Sequence, residues 1–401
     1  MGREPLGPHR EILPIPLNVN SSSRIRAALS NAAQCAAGPP RTVHGSFAPF
    51  PRRPRLAVGD PQTDIQRFFT LLDQRNLLTP DGWLRSDSQL ISVGDHFDWG
   101  PPEAREAVAQ SGLQLLAWLA AHPSDQVAIL AGNHDLARVG ELADFTDATF
   151  AEAQVEADRI YAGGTPDTAA EQEFLQRYPQ VPNVELIARD FSTFREEQRT
   201  WVTYLLRERR LRMAYASAPG LLVSHAGVTR EDLLALGIAQ DRHNNAHAAA
   251  YALNDTLDTA VENWKGGPLT VPGLYQPGSR ELGEGLGIVY HRPRTLPEDA
   301  ERTRQSPRRR FNPLNLPLGL TQVIGHTRDK RARELLGLPP AAAPSGVLRH
   351  LVTNGKRFTY APGPPPKTEW EDAVLVFTDG GLNDSPLESI EFFDFDTRGA
   401  R

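Results

Sequence analysis

The chain has 401 residues, 40% hydrophobic and 23% charged, the composition of a soluble globular protein with one large domain or two ordinary ones. A net charge of -6 excludes a chain built as a whole to neutralise nucleic-acid phosphates. The single cysteine, Cys35, excludes an internal disulfide and a cysteine-rich metal site, and no apolar run reaches the ~20 residues of a membrane span.

The first residues lack a signal-peptide core, and Leu6 stands where a myristoylation motif needs Ser or Thr, so a cytoplasmic location is expected. Residues 1–54 are expected to form an irregular arm. A short helix can start at 21–23 under a serine N-cap, and Pro39, Pro40, Pro51 and Pro54 break the pattern that follows. From Arg55 onward, β-branched apolar runs alternate with helical patterns, which predicts a layered α/β fold. Strand-like runs at 55–58, 90–93 and 127–131 are separated by helical stretches at 64–72 and 102–121. Leu113, Leu115, Leu116, Trp118 and Leu119 supply the apolar side of the second helix. Residues 136–218 are acidic and helical in pattern, broken at Gly163-Gly164, Pro179 and Pro182. They predict a helical insertion over or beside the site, with exposed helices at 171–178 and 191–209.

Strand-like runs return at 221–224 and 322–324, with helices expected at 230–236, 246–265 and 332–338. Between them, 266–317 is a Gly/Pro/Arg-rich loop region. Its Gly283, Gly285 and Gly287 neither follow a strand nor open a helix, which excludes a nucleotide-binding glycine loop. Seven arginines from Arg292 to Arg310 (Arg292, Arg294, Arg302, Arg304, Arg308, Arg309, Arg310) make this either a solvated loop or an anion-collecting rim. A hairpin turning at Asn354-Gly355 and a last strand at 374–377 complete a single domain over 55–396.

Five of the strands end in metal-ligand chemistry: Gly59-Asp60-Pro61-Gln62, Gly94-Asp95-His96-Phe97-Asp98, Gly132-Asn133-His134-Asp135, Ser224-His225-Ala226-Gly227 and Gly325-His326-Thr327. Carboxylates at the ends of buried strands are costly unless cations neutralise them. The carboxyl ends of the strands are also where α/β sheets place their sites. One such strand has a plain structural reading as a helix cap or a core histidine; five in series do not.

These blocks resemble those of calcineurin-like metallophosphoesterases, nearest to the phosphoprotein-phosphatase branch with its bacterial and diadenosine-tetraphosphatase-like members. The resemblance runs from about Arg55 to the end of the chain, and Asn133-His134-Asp135 is its most specific block. It implies a layered α/β/β/α sandwich and two divalent metal ions, manganese first and iron, magnesium or zinc as alternatives. It implies that Asp60, Gln62 and Asp95 hold the first ion, and that Asp95, Asn133, His225 and His326 hold the second. A hydroxide bridging the pair would attack the phosphoryl group. His134 would face the leaving oxygen as general acid, with Asp98 keeping it protonated and oriented. His96 is left without a ligand role. Arg292, in the segment 286–292, falls where related bacterial phosphatases carry a phosphate-contacting arginine.

Two positions depart from the family pattern. Gln62 stands where His is usual, which weakens the first metal position. Trp99 replaces a phosphate-binding Arg and either stacks on a base or leaving group or packs under the insertion. The expected partner is a phosphorylated substrate, phosphoprotein or nucleotide, with no membrane. A catalytically weak metal-binding module of the same fold is the alternative. A nuclease fits less well, because basic and aromatic residues are not interleaved as a strand-binding groove needs, and Arg328 stands where Gly-His-x-His would place a second histidine.

Overall fold

Short, fully buried strands set the architecture. The computed structural model describes residues 22–38, 53–162, 164, 166–295, 309–340, 344–366 and 371–400. In the first sheet, β1 (Arg55–Val58), β2 (Gln89–Ser92), β3 (Val127–Leu130) and β4 (Leu211–Arg212) run parallel. In the second, β6 (Leu221–Ser224), β9 (Thr321–Ile324) and β12 (Ala373–Phe377) run parallel. Continuous apolar strands of this kind are stable only when both faces are covered. Each sheet has six strands; the edges are closed by antiparallel β13 (Phe393–Asp394) and β14 (Gly399–Ala400) on one, and by β5 (Ala214–Ala218), β10 (Arg349–Thr353) and β11 (Phe358–Pro362) on the other.

The sheets pack face to face. Ala57, Ile91, Val93 and Leu130 of the first share one buried cluster with Val223, Val323, Val374 and Val376 of the second. Helices cover the outer face of the first sheet: α1 (Ser23–Ala37), α2 (Ile65–Gln74) and α3 (Arg105–Ala120) meet there in the largest core cluster. The result is the layered α/β sandwich expected from the strand and helix alternation.

Several stretches differ from expectation for identifiable reasons. The arm contains a 15-residue helix, α1, capped by Ser22 and burying Ile25, Ala28, Leu29, Ala32 and Ala36. Its small-residue face lets it lie close against α2 and α3. Residues 1–21 and 39–52 of the arm, and Arg302, Arg304 and Arg308, lie outside the described residues. The helix expected over 191–209 starts later, as α7 (Glu196–Arg207), because Thr193 turns its backbone N–H and hydroxyl to Asp98. It is also not an exposed helix: Gln198, Trp201, Val202, Leu205 and Leu206 recur at helical spacing and are buried against the main core. Within 136–218, α5 (Asp147–Tyr161) and α6 (Thr168–Arg177) enclose a separate core of Phe145, Phe150, Phe174, Val184 and Phe194. The part of the loop region around 275–290 is anchored through Glu141, which accepts hydrogen bonds from the hydroxyls of Tyr275 and Tyr290 and from the Gly278 N–H.

Candidate metal centre

The parallel strands of both sheets end together. Across that end, Gly325 N–H donates to the His225 carbonyl at 3.0 Å, and both Asp60 carboxylate oxygens accept from His326 N–H at 3.0 and 2.9 Å. The approach is tight enough to dictate glycine twice. A Cβ on Gly132 would lie 2.0 Å from Asp95 Oδ1, and one on Gly325 would lie 1.9 Å from Asp60 Oδ1. Seven described non-glycine residues have positive φ, and four of them are Asp60, Asp95, Asp98 and His326. Backbone strain is thus concentrated where the donor groups meet, a feature of functional sites.

Asp95 follows β2. Its Oδ1 accepts from His134 N–H at 2.9 Å, and its Oδ2 faces His225 Nε2 at 3.4 Å. The ring of His225 is fixed from behind: a carbonyl can only accept, so Nδ1 donates to Val93 O at 2.8 Å. Nε2 then points at Asn133 Oδ1 and at His326 Nδ1, both at 3.2 Å. The other nitrogen of His326, Nε2, is buried with no hydrogen-bond partner. Among the described residues, Asp95, His225 and His326 are the one group of three His, Cys, Asp or Glu side chains whose ligand atoms lie within 4.8 Å of one another.

This donor set fits a cation. A carboxylate oxygen, an amide oxygen and an imidazole nitrogen all converge on the Nε2 of a second imidazole. One proton cannot serve them all, whereas a divalent ion can. The anionic surroundings draw positive charge to this point, which a proton on His225 supplies and a bound ion would displace. Burial opposes charge on His225, but Asp95 and Asp60 outweigh it and raise the imidazole to about 9. Asp95 is held below its usual range, because His225 and His134 outweigh its burial. His326 is pushed well below its ordinary value by burial, Arg292 and His225, which keeps it neutral, as a ligand must be.

The other half of the floor is looser. Asp60 is buried and held well above the usual carboxylate range by burial and by Asp379, with Asp95 adding to it. Gln62 donates from Nε2 to the Phe97 and Asp98 carbonyls at 2.7 and 3.0 Å, which leaves Oε1 as its free acceptor. Asp60, Gln62, Asp95 and Asp379 all line one cavity of about 660 Å³, together with Trp99, His134, Arg292 and His326. Trp99 is half-buried on its rim and also packs over Gly112 of α3. Every site residue expected from the sequence except Asn133 and His225 therefore faces this cavity, and those two lie directly beneath it.

Asp98 and His134 form a second layer. His134 Nδ1 lies 2.9 Å from Asp98 Oδ2, while Arg138 Nη2 donates to the same oxygen at 2.8 Å. Thr193 N–H and hydroxyl donate to Asp98 Oδ1 at 3.0 and 2.6 Å. Burial pushes Asp98 up, but Arg138 and His134 prevail and bring it to about 2. The His134 pKa is raised; burial opposes the shift, and Asp95 and Asp98 overcome it. Phe191 meets the ring edge-on at 5.0 Å. Thr193 and Phe191 come from the insertion, so it reaches the site directly.

Asp379, Arg138, Thr193 and Asp135 had no separate role in the sequence. Asp379 ends β12 in the same strand-then-acid pattern as Asp60, which is the signal that could have found it. Asp135 instead turns backward: it accepts from the N–H groups of Asp95, His96 and Gly132 at 2.9, 3.1 and 2.9 Å, and its Oδ1 lies 3.0 Å from His96 Nδ1. His96, fully buried, spends its other nitrogen on Ser92 Oγ at 2.8 Å.

No family model matches the chain, and no curated protein matches its sequence. Among solved structures it is similar to a cold-active protein-tyrosine phosphatase of a psychrophilic Shewanella species, at 14% identity and a TM-score of 0.37, covering 90% of this chain and 82% of that one. A mutant cold-active protein tyrosine phosphatase gives 14% identity and a TM-score of 0.32, covering 85% and 74%. Likenesses this loose establish neither a shared fold nor a shared chemistry. No helix among the described residues is long and apolar enough to cross a membrane.

Proposed function

We propose that the chain is a metal-dependent phosphoesterase of the calcineurin-like type, hydrolysing phosphate esters at a dinuclear centre. The observation that carries this is the convergence of Asp95, Asn133 and His326 on His225 Nε2 inside a buried, anionic floor. Asp95, Asn133, His225 and His326 would hold one ion, and Asp60, Gln62 and Asp95 the other, with manganese the first candidate. A divalent pair supplies Lewis-acid stabilisation of phosphoryl oxygens and a water of lowered pKa. The rest falls to the chain's own groups. His134, with Nδ1 held by Asp98, keeps a proton on Nε2 for the leaving oxygen. Arg292 lines the same cavity and brings a guanidinium to it, a fit for phosphoryl oxygens.

The test is hydrolysis of p-nitrophenyl phosphate by the manganese-loaded protein. EDTA and Asp95→Asn should each remove activity by on the order of a thousandfold or more. Activity that survives both refutes the proposal.

A second reading, a metal-binding module with little catalysis, is favoured by one observation: Gln62 offers an amide where the histidine-bearing half offers imidazoles. Calorimetric titration with manganese separates the two. Two ions per chain support the enzyme; a single ion, with no turnover, supports the module.

A further inference from the structure

The cavity over the metal centre borders a second one, and Arg331 lines both. The second, about 700 Å³, is walled by Arg294, Thr295, Arg310, Arg331 and Glu334. Its shape is set by a small ribbon. β7 (Arg292–Pro293) pairs in parallel with β8 (Arg310–Phe311), and the register places Arg292 opposite Arg310. Directly opposed residues of paired strands send their side chains to the same face, and here Arg292 lines the cavity over the metal centre while Arg310 lines the second, adjoining one. Backbone bonds from Arg292 N–H to Arg309 O at 3.0 Å and from Arg294 N–H to Phe311 O at 2.9 Å hold this register. Arg331 reaches the same place from α10 (Asp329–Leu336).

The charges do not balance. Arg331 pairs with Glu334 at 2.7 Å, and Arg309 with Glu284 at 2.8 Å. Arg292 and Arg310 have no ion-pair partner among the described residues. Arg310 Nη1 has only the Arg309 carbonyl, at 2.9 Å, and Arg292 Nε is sealed off without a partner. Half-buried like charges set side by side repel and lose hydration, so an unneutralised pair of this kind calls for an anion. Burial, with Arg292 and Arg331 nearby, lowers Arg310 to about 10, in line with that repulsion. In the second cavity Arg294, Arg310 and Arg331 face the single carboxylate of Glu334; a carboxylate ligand would neutralise one of the two remaining charges, whereas a phosphate dianion neutralises both and matches their forked donors.

We propose that the cavity walled by Arg294, Arg310 and Arg331 is a second anion subsite, and that the substrate is an organic phosphate carrying a second phosphate group. The ester to be cleaved sits on the metal centre under Arg292, and the distal phosphate sits between Arg310 and Arg331. This rests on the phosphoesterase reading for the first site, but the second site stands on its own geometry.

The experiment is calorimetric binding of non-hydrolysable alkane bisphosphonates of increasing linker length to the manganese-loaded protein, against the matching monophosphonate. At one linker length the bisphosphonate should bind roughly tenfold tighter or better, the worth of a charge-assisted contact. Arg310→Gln should abolish that gain. Arg294→Gln, on an exposed residue that carries no folding risk, should reduce it severalfold. No gain at any length, or a gain that survives both substitutions, overturns the proposal. A phosphonocarboxylate of the same length binding equally well overturns the assignment of the second group as phosphate. Turnover of p-nitrophenyl phosphate is read in parallel: its absence defeats the phosphoesterase reading while the binding comparison still decides the subsite.

Discussion

The two halves of the cavity floor are built differently. On one side His225 and His326, carried by β6 and β9, meet Asn133 and Asp95 at ligand distances. Two of these groups are held from behind: His225 by Val93 O, and the Asp95 loop by Asp135. On the other side Asp60 and Gln62 follow β1, with Asp379 alongside from β12, and no third His, Cys, Asp or Glu completes a group of comparable tightness there among the described residues. The first half is the more rigid because the far nitrogen of His225 and the backbone around Asp95 are already bonded, the outer-shell device that tunes metal sites. The second is held mainly through the backbone, by His326 N–H on Asp60 and by Gln62 on the carbonyls of Phe97 and Asp98. One half is preorganised for a metal; the other depends more on the ion to finish it.

Removing a ligand from the preorganised half should therefore do the most damage. His225→Ala deletes the nitrogen on which three other donors converge. Losing an outer-shell partner costs roughly 10–100-fold in metal affinity, and a direct ligand should cost more. Manganese titration of His225→Ala beside Gln62→Ala measures the contrast. The His225 loss should be the larger by at least roughly tenfold, and equal losses would erase the difference between the halves.

Asp98 comes next, because it ties the amide-bearing half to the insertion. Its carbonyl accepts from Gln62, while its carboxylate is gripped by Arg138, His134 and Thr193. Its folded pKa, about 2, lies below the unfolded value near ~3.9. The resulting stabilisation, about 2–3 kcal/mol, is fully present above the unfolded value and disappears as pH falls through about 2. Urea unfolding of wild type and Asp98→Asn at pH values from neutral into that acid window is the check. The gap between them should narrow as pH falls, and a constant gap would show that the carboxylate charge is not what holds the loop. The same substitution should lower kcat more than it raises KM, since His134 loses its orienting partner.

Much of this was legible beforehand because it depends on local pattern. Buried parallel strands show as continuous apolar runs, so 55–58, 127–130 and 221–224 stand out, and the acid or histidine closing each run marks the cavity floor. What escaped depends on partners far away in the chain. Thr193 binds Asp98 across 95 positions, and Arg138 reaches it across 40. Nothing local to Thr193 announces that the helix must wait for Glu196. Asp135 closes a block of metal-ligand chemistry, yet the strained turn at Asp95 needs its backbone N–H groups satisfied, and Asp135 is the carboxylate that reaches them. The long-range bonds of Glu141 to Tyr275 and Tyr290 are likewise invisible along the chain, though they fix the Arg-rich ribbon beside the site.

The smallest expected effect is the most direct test of the comparison. Gln62→His installs an imidazole where an amide oxygen stands; imidazole is the stronger ligand for iron or zinc, whereas an amide oxygen suits manganese. If the amide is what loosens this half, zinc should bind its weaker site roughly tenfold more tightly in the variant while the tighter site is unmoved. The gain has an opposing cost. Gln62 Nε2 now satisfies the Phe97 and Asp98 carbonyls, and a histidine that turns one nitrogen to the metal has a single N–H left for the two of them. The strained residue Asp98 then loses part of its support. The variant should accordingly unfold at slightly lower urea concentration without metal and regain that stability on loading. A variant that binds no tighter and is simply less stable would mean that Gln62 serves the backbone of the Asp98 loop, and that the first position owes its ion to Asp60, Asp95 and Asp379 alone.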